Sequence, residues 1–191
     1  SGCAFFAQWH HPFAGTEKLE QNFPIDYICE GVDQTRGWFY TLLAVSTTVF
    51  DSICYKRCLS LGLILDAHGK KMSKSDGNIV DPWNHFNREG ADATRWYMVT
   101  AGAPWSPLKF DSSAVRDTYG KMFLTLWNCY KFHTDYAALD DFDPEASDCP
   151  VANRSSLDRW IISKLNSVVS DYQAQFESWD FHKACRDLEN F

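Results

Sequence analysis

Two short apolar runs with one amphipathic helix between them constrain this 191-residue chain more than any other feature. Residues Pro24 to Gly31 read Pro-Ile-Asp-Tyr-Ile-Cys-Glu-Gly, a β-prone run closed by glycine, and the spacing predicts a buried strand. From Gln34 to Phe50 the large side chains Trp38, Leu42, Val45 and Val49 recur three or four residues apart, the period of a helix packed on a sheet. Cys58 to Leu65 is a second apolar run, broken by the turn-forming Asp66-Ala67-His68-Gly69. Strand, helix and strand within about forty residues build a parallel pair with a right-handed crossover. Ligands of such sheets sit at the carboxyl ends of the strands. Here those ends carry Glu30-Gly31-Val32-Asp33 and Gly62, followed by a lysine-rich loop.

Beyond residue 80 the pattern turns helical. Asp81-Pro82 reads as an N-cap with proline in the first helical turn, Gly90-Ala91-Asp92 opens a helix through Trp96 and Val99, and Asp111-Ser112-Ser113 caps a long one toward Leu139. Asp140 to Asn153, with Pro144, Pro150 and several acids, has no periodicity and reads as a linker. Ser155-Ser156-Leu157-Asp158 starts the next helix, through Trp160, Ile161, Leu165 and Val168, and a last helix begins near Asp180.

Composition sets limits on function. With 45% hydrophobic and 16% aromatic residues the chain has enough apolar surface for a core, which excludes a disordered tail. No apolar run is long enough to span a bilayer. A formal charge of −7 excludes nucleic-acid binding by the overall field, so any such contact is a local patch. The seven cysteines are scattered without a Cys-x-x-Cys pair, which fits a reducing compartment. Cys54 and Cys58 could form half of a metal site, but a second ligand pair is not apparent, so they read as buried or idle thiols; no metal ligand set is expected. His10, His11 and His68 read as loop histidines. The chain starts Ser1-Gly2-Cys3 and stops at Phe191 inside a helical pattern, and it reads as a piece of a larger protein.

The chemistry concentrates in Gly69-Lys70-Lys71-Met72-Ser73-Lys74-Ser75-Asp76-Gly77-Asn78. Ammonium groups, hydroxyls and backbone amides on one loop are the ingredients of a polyphosphate cradle. The same letters suit a solvated surface loop. Lysine is a flexible point charge and serves a transient phosphate grip.

Lys71-Met72-Ser73-Lys74-Ser75 resembles the K-M-S-K-S signature of class I aminoacyl-tRNA synthetases. Glu30-Gly31-Val32-Asp33-Gln34-Thr35-Arg36-Gly37-Trp38-Phe39 resembles the E-G-x-D-Q-x-R-G-W-F segment of the isoleucyl branch. Ser1-Gly2 resembles the tail of the D-S-G segment, and Leu157-Asp158-Arg159-Trp160 the L-D-R-W that opens the anticodon-binding domain. The resemblance implies an α/β fold: a partial Rossmann-type parallel sheet followed by an all-α helical region. It implies three parts: the carboxyl half of the catalytic domain over residues 1–80, a helical connecting region and linker over 81–150, and the start of an anticodon-binding bundle over 151–191.

It also implies roles. Glu30 and Asp33 would accept hydrogen bonds from ribose hydroxyls or the amino acid's ammonium, and Gly31 would admit the adenylate close to the backbone. Gln34 would orient the amino acid's polar end, and Trp38 would wall its aliphatic pocket. Lys71 and Lys74 would be the catalytic cations, and Gly62, Lys71, Met72, Ser73, Lys74 and Ser75 the ATP-binding set. Where many members have a polar residue before this glycine, the chain has Leu61, which leaves adenine recognition to backbone groups. Trp38 also suits a core position, and Arg36 a structural pair with Glu30 or Asp33. Arg154, Arg159 and Lys164 suit either tRNA phosphates or a solvated face.

The implied reaction is ATP-dependent activation of isoleucine and transfer to tRNA(Ile), with Mg2+ arriving on ATP, in a monomeric cytoplasmic parent without membrane contact. The family's other signature, His-Ile-Gly-His, is not in this sequence, so the chain by itself is expected to be inactive. Three other readings stay open: a module that binds ATP or tRNA without chemistry, a structural or interaction piece, and a parent that activates valine.

Overall fold

A computed structural model describes residues 1–146 and 149–191. The chain divides into two compact units: Ser1–Ser75 with Pro104–Lys109, and Asp76–Ala103 with Phe110–Phe191. The linker expected over Asp140–Asn153 includes positions 147 and 148, which lie outside the described residues.

In the first unit, α1 (Ala4–Ala7) and α2 (Thr16–Asn22) lead into β1 (Ile28–Gly31), a 3₁₀ turn (Val32–Arg36), α3 (Trp38–Phe50), β2 (Cys58–Leu61) and β3 (Ile64–Leu65). Strands β1 and β2 pair in parallel, Ile28 against Cys58 through Gly31 against Leu61, with α3 as the crossover between them. The strand expected from Pro24 is shorter. Ile25 makes one isolated parallel bridge to Tyr55, with Ile25 N–H donating to Cys54 O at 2.8 Å and Lys56 N–H to Ile25 O at 2.8 Å; Asp26 and Tyr27 then separate it from β1.

The helix expected from Gln34 begins later, because Gly37 breaks the path at φ −134, ψ −109. Its inner stripe is also rotated: Phe39, Leu42 and Ser46 are buried, whereas Val49 is 57% exposed. The core of Phe5, Leu19, Ile28, Phe39, Leu42 and Cys54 explains the rotation, since Phe39 and Leu42 face it together. Ser46 is tolerated inside because its hydroxyl donates to Ser52 O at 2.8 Å. Complete burial of Leu42 contributes about 1.5–3 kcal/mol.

The single apolar run expected over Cys58–Leu65 is two strands. Gly62 and Leu63 part them, and β3 pairs in parallel with β4 (Leu108–Lys109), Leu65 against Lys109. Gly62 is required there: its N–H donates to Pro104 O at 2.9 Å, and a Cβ would overlap the Ser106 carbonyl and stand 2.8 Å from Pro107 N.

The second unit is helical: α4 (Pro82–Phe86), α5 (Ala91–Thr100), α6 (Ser112–Thr118), a π-helical stretch (Tyr119–Leu124), α7 (Thr125–Leu139), a 3₁₀ turn (Val151–Asn153), α8 (Ser156–Glu177) and α9 (Phe181–Glu189). Its caps are the expected ones. The Asp81 carboxylate accepts from Trp83 N–H at 3.0 Å, Asp111 from Ser113 N–H at 2.8 Å, and Ser155 and Asp158 close a capping box. The long helix expected toward Leu139 is continuous from α6 to α7 but underwound through the π-helical stretch. A relay centred on buried His85 and Glu89 ties α4 to α6: Glu89 Oε2 lies 3.2 Å from His85 Nδ1, and Ser112 Oγ lies 3.2 Å from His85 Nε2. Helix α9 meets α5 through His182 Nδ1 and Val99 O at 2.7 Å.

Candidate active site

The carboxyl ends of β1 and β2 lie side by side, and their polar residues follow from the register. Glu30 stands opposite Ser60, so both side chains leave the same face of the pair. Glu30 is exposed, and among the described residues it makes no hydrogen bond or ion pair. Ser60 Oγ is buried and lacks a hydrogen-bond partner, an unpaired group at the strand end that a polar ligand would satisfy.

From Gly31 the chain turns directly into the 3₁₀ turn. A Cβ on Gly31 would stand 2.7 Å from Asp33 Oδ1, so glycine is what lets the Asp33 carboxylate fold back over the strand end. Gln34 has a role that its letter alone did not reveal. Its Oε1 accepts the Trp38 N–H at 2.9 Å, capping the start of α3, while its Nε2 donates to Asp33 Oδ2 at 2.8 Å. One amide therefore holds both the helix start and the carboxylate. The closeness of Gly37, whose Cβ would meet Gln34 Oε1 at 2.7 Å, makes room for it.

Ser1, Glu30, Gln34 and Trp38 line an open cavity of about 310 Å³. Trp38 is half-buried, packs against the core on one side, and donates from Nε1 to Ser1 O at 3.3 Å, so it is at once core and cavity wall. The Ser1 carbonyl is a wall element that sequence reading missed. Arg36 is exposed and makes no ion pair with Glu30 or Asp33, contrary to the structural pairing considered for it.

The lysine-rich loop grows out of β3. Asp66 organises its base: Oδ1 accepts from His68 N–H at 3.0 Å and Lys70 N–H at 2.8 Å, and Gly69 takes the left-handed φ of +82 that closes the turn. Lys71 then bridges back to Leu65 in antiparallel sense. Lys71 and Lys74 are exposed, Met72 and Ser73 half-buried, and Ser75 exposed. Ser73 and Ser75 share a hydroxyl hydrogen bond of 2.6 Å, and Ser75 N–H donates to Ser73 Oγ at 3.3 Å. Gly62, assigned to ATP binding, has its amide committed to Pro104 O and leaves only its carbonyl and lack of bulk for a ligand.

Titration shifts in this unit come from one ion pair and from burial. The hydrogen bond from Lys56, at 2.7 Å, lowers the pKa of Asp26. Burial first, then a hydrogen bond with Cys29, pushes Tyr27 up to about 12. Burial pushes the Cys54 thiol up to about 11 and raises Cys58 as well, so both are protonated at neutral pH. Among the described residues no three His, Cys, Asp or Glu side chains come together to hold a metal ion. In the second unit, Arg154 donates from Nε to Cys149 O at 2.8 Å, and Arg159 and Lys164 are exposed on α8.

Comparison with known proteins identifies the family and the fold. The family model described as tRNA synthetases class I (I, L, M and V) matches residues 1–109. The isoleucine–tRNA ligase of Clostridium novyi is 47% identical over 192 residues, and that of Cytophaga hutchinsonii 44% over 191. Each alignment takes in 100% of this chain, and the chain spans only 18% and 17% of those relatives. Among solved structures, the LeuRS of Agrobacterium radiobacter K84, in a ternary complex with tRNA and LeuAMS, superposes with a TM-score of 0.79 at 20% identity, over 99% of this chain and 25% of that one. Methionyl-tRNA synthetase of Mycobacterium tuberculosis, in complex with methionyl-adenylate, gives 0.76 at 17% identity, over 96% of this chain and 35% of that one. The α/β fold with a helical carboxyl-terminal region is therefore shared with these enzymes, and the chain belongs to the class I tRNA synthetases of the isoleucine, leucine, methionine and valine group.

Proposed function

We propose that this chain is part of an isoleucine–tRNA ligase, which activates isoleucine with ATP and passes it to tRNA(Ile). The observation that carries the reading is the 47% identity to such a ligase along the whole chain, and the resemblance of Glu30 to Phe39 to the segment of that branch, and of Lys71 to Ser75 to the class I signature, supports it. In this reading residues 1–80 are the carboxyl half of the catalytic domain, 81–150 the helical connector and 151–191 the start of the anticodon-binding domain.

The chemistry follows from the placement. A carboxylate oxygen of isoleucine attacks the α-phosphorus of ATP, the bond to the β-phosphate bridge breaks, and pyrophosphate leaves with the electron pair. The protein supplies position and charge. Glu30 and Asp33 accept hydrogen bonds from the ammonium or ribose hydroxyls at the strand end. Gln34 acts through Asp33, whose carboxylate it holds, and Trp38 walls the side-chain cavity. Lys71 and Lys74 neutralise the charge that gathers on the departing pyrophosphate. Mg2+ enters as part of the ATP substrate, on phosphate oxygens and water. The same reading makes the parent a cytoplasmic monomer. No helix among the described residues is long and apolar enough to cross a membrane.

The test is amino-acid-dependent ATP–pyrophosphate exchange by the complete gene product. Isoleucine should support exchange and valine should do so less well, since one methylene is worth about 1–3 kcal/mol. Replacing both lysines, Lys71→Ala with Lys74→Ala, should lower exchange by about 100-fold or more. The 191-residue chain alone should give none. Nucleotide binding without exchange would favour the binding-module reading, and a preference for valine would move the assignment to that amino acid.

A further inference from the structure

We infer that Lys109 is a third cation of the polyphosphate site formed by Lys71 and Lys74, brought there by a strand that returns from 35 positions beyond Lys74 in sequence. The inference rests on the polyphosphate reading of the loop and adds to it a residue outside the loop motif.

Register carries the argument. Leu65 pairs on one side with Lys109 in the parallel β3–β4 ladder and on the other with Lys71 in the antiparallel bridge. Lys109, Leu65 and Lys71 therefore form one row across three backbone segments. Residues paired directly across a ladder project from the same face, so the two lysine side chains leave the same side. Their α-carbons are roughly 10 Å apart, two strand spacings. Both residues are exposed, as that face requires.

The Lys109 side chain runs beside a glycine of the loop. A Cβ on Gly69 would stand 3.0 Å from Lys109 Cε and 3.6 Å from Nζ, so the lysine stem lies along the turn that introduces Lys70 and Lys71. Gly69 is required by its φ of +82, and its lack of a side chain leaves room for the lysine stem. The strand is placed firmly, since Leu108 N–H donates to Leu63 O at 2.9 Å and Gly62 admits Ser106 and Pro107 against its backbone. A rigid strand on one side and a loop on the other, each presenting ammonium groups to one face, suits a pyrophosphate-sized anion. The loop lysines follow the anion as it moves, and Lys109 is held by the sheet.

The test uses the complete gene product and pyrophosphate as probe. Lysine acetylation by N-hydroxysuccinimidyl acetate, read by mass spectrometry, should slow at least about three-fold at Lys71, Lys74 and Lys109 when pyrophosphate is added. Lys56 and Lys131, each paired with an aspartate at 2.7 and 2.6 Å, should label at an unchanged rate. Protection of Lys71 and Lys74 without Lys109 would overturn this inference and leave the loop reading standing. Protection at none of the three would remove both. Calorimetric titration gives an independent measure: Lys109→Met should raise the pyrophosphate Kd about ten-fold, and Lys109→Arg, which keeps the charge, should stay within about three-fold of the unsubstituted protein. An unchanged Kd in Lys109→Met would equally overturn it. Isoleucine is absent from both experiments, so neither depends on which amino acid the parent activates.

Discussion

Helices α3 and α8 are built on opposite principles. The 13 residues of α3 start at a glycine with no side-chain cap of its own, borrow the Gln34 amide, and bury Phe39, Leu42 and Ser46. The 22 residues of α8 start at a complete capping box and bury none of their side chains, leaving Leu157 and Trp160 68% and 59% exposed. Packing holds α3, so its position is set by the core it covers and passes to the site through Gln34. Local signals and length hold α8, which at about 33 Å is long enough to form on its own account. Function gathers where tertiary packing fixes the chain.

The largest difference between the two should appear on truncation. Leu42→Ala in α3 should cost about 2–5 kcal/mol, and Leu165→Ala in α8 no more than about 0.5 kcal/mol, read from urea unfolding followed by tryptophan fluorescence. Equal losses would break the contrast. A smaller effect sharpens it through pH. Cys54 is fully buried and its pKa rises from 9.0 to about 11 on folding, so the unfolded chain loses this proton first. Its contribution is intact below pH 9 and is lost as pH climbs toward about 11, with Tyr27 adding a further loss toward about 12. Cys54→Ala should flatten the alkaline decline between pH 9 and 11 in the same unfolding assay. The smallest effect belongs to the cap: Ser155→Ala should weaken α8 by about 1 kcal/mol, seen as faster amide exchange in its first turn while α3 is unchanged.

The same contrast explains what could be read from the sequence. Caps at Asp81, Asp111 and Ser155, and the helix start near Asp180, were legible because each is settled within three residues of itself. The parallel β1–β2 pair and its helical crossover were legible because apolar period and turn chemistry agree there. The inner stripe of α3 was misjudged by one position, since period alone does not say which neighbours a helix meets. Gln34 was read as a ligand group, whereas its amide is closed on Trp38 N–H and Asp33, a geometry that exists only once Gly37 has broken the helix path. The break at Gly62 and the return of β4 depend on Pro104 to Lys109, far along the chain, and no local pattern announces that pairing.

That return also governs how the protein can be taken apart. The first compact unit is written in two pieces, Ser1–Ser75 and Pro104–Lys109, with part of the second unit's sequence lodged between them. A gene cut after the lysine-rich loop, the natural place to divide catalytic from helical sequence, would discard β4. It would leave β3 an unpaired edge and uncover the Gly62 backbone against which Ser106 and Pro107 are seated. Recombination between relatives meets the same rule: a new catalytic half must bring its six-residue return segment along with it.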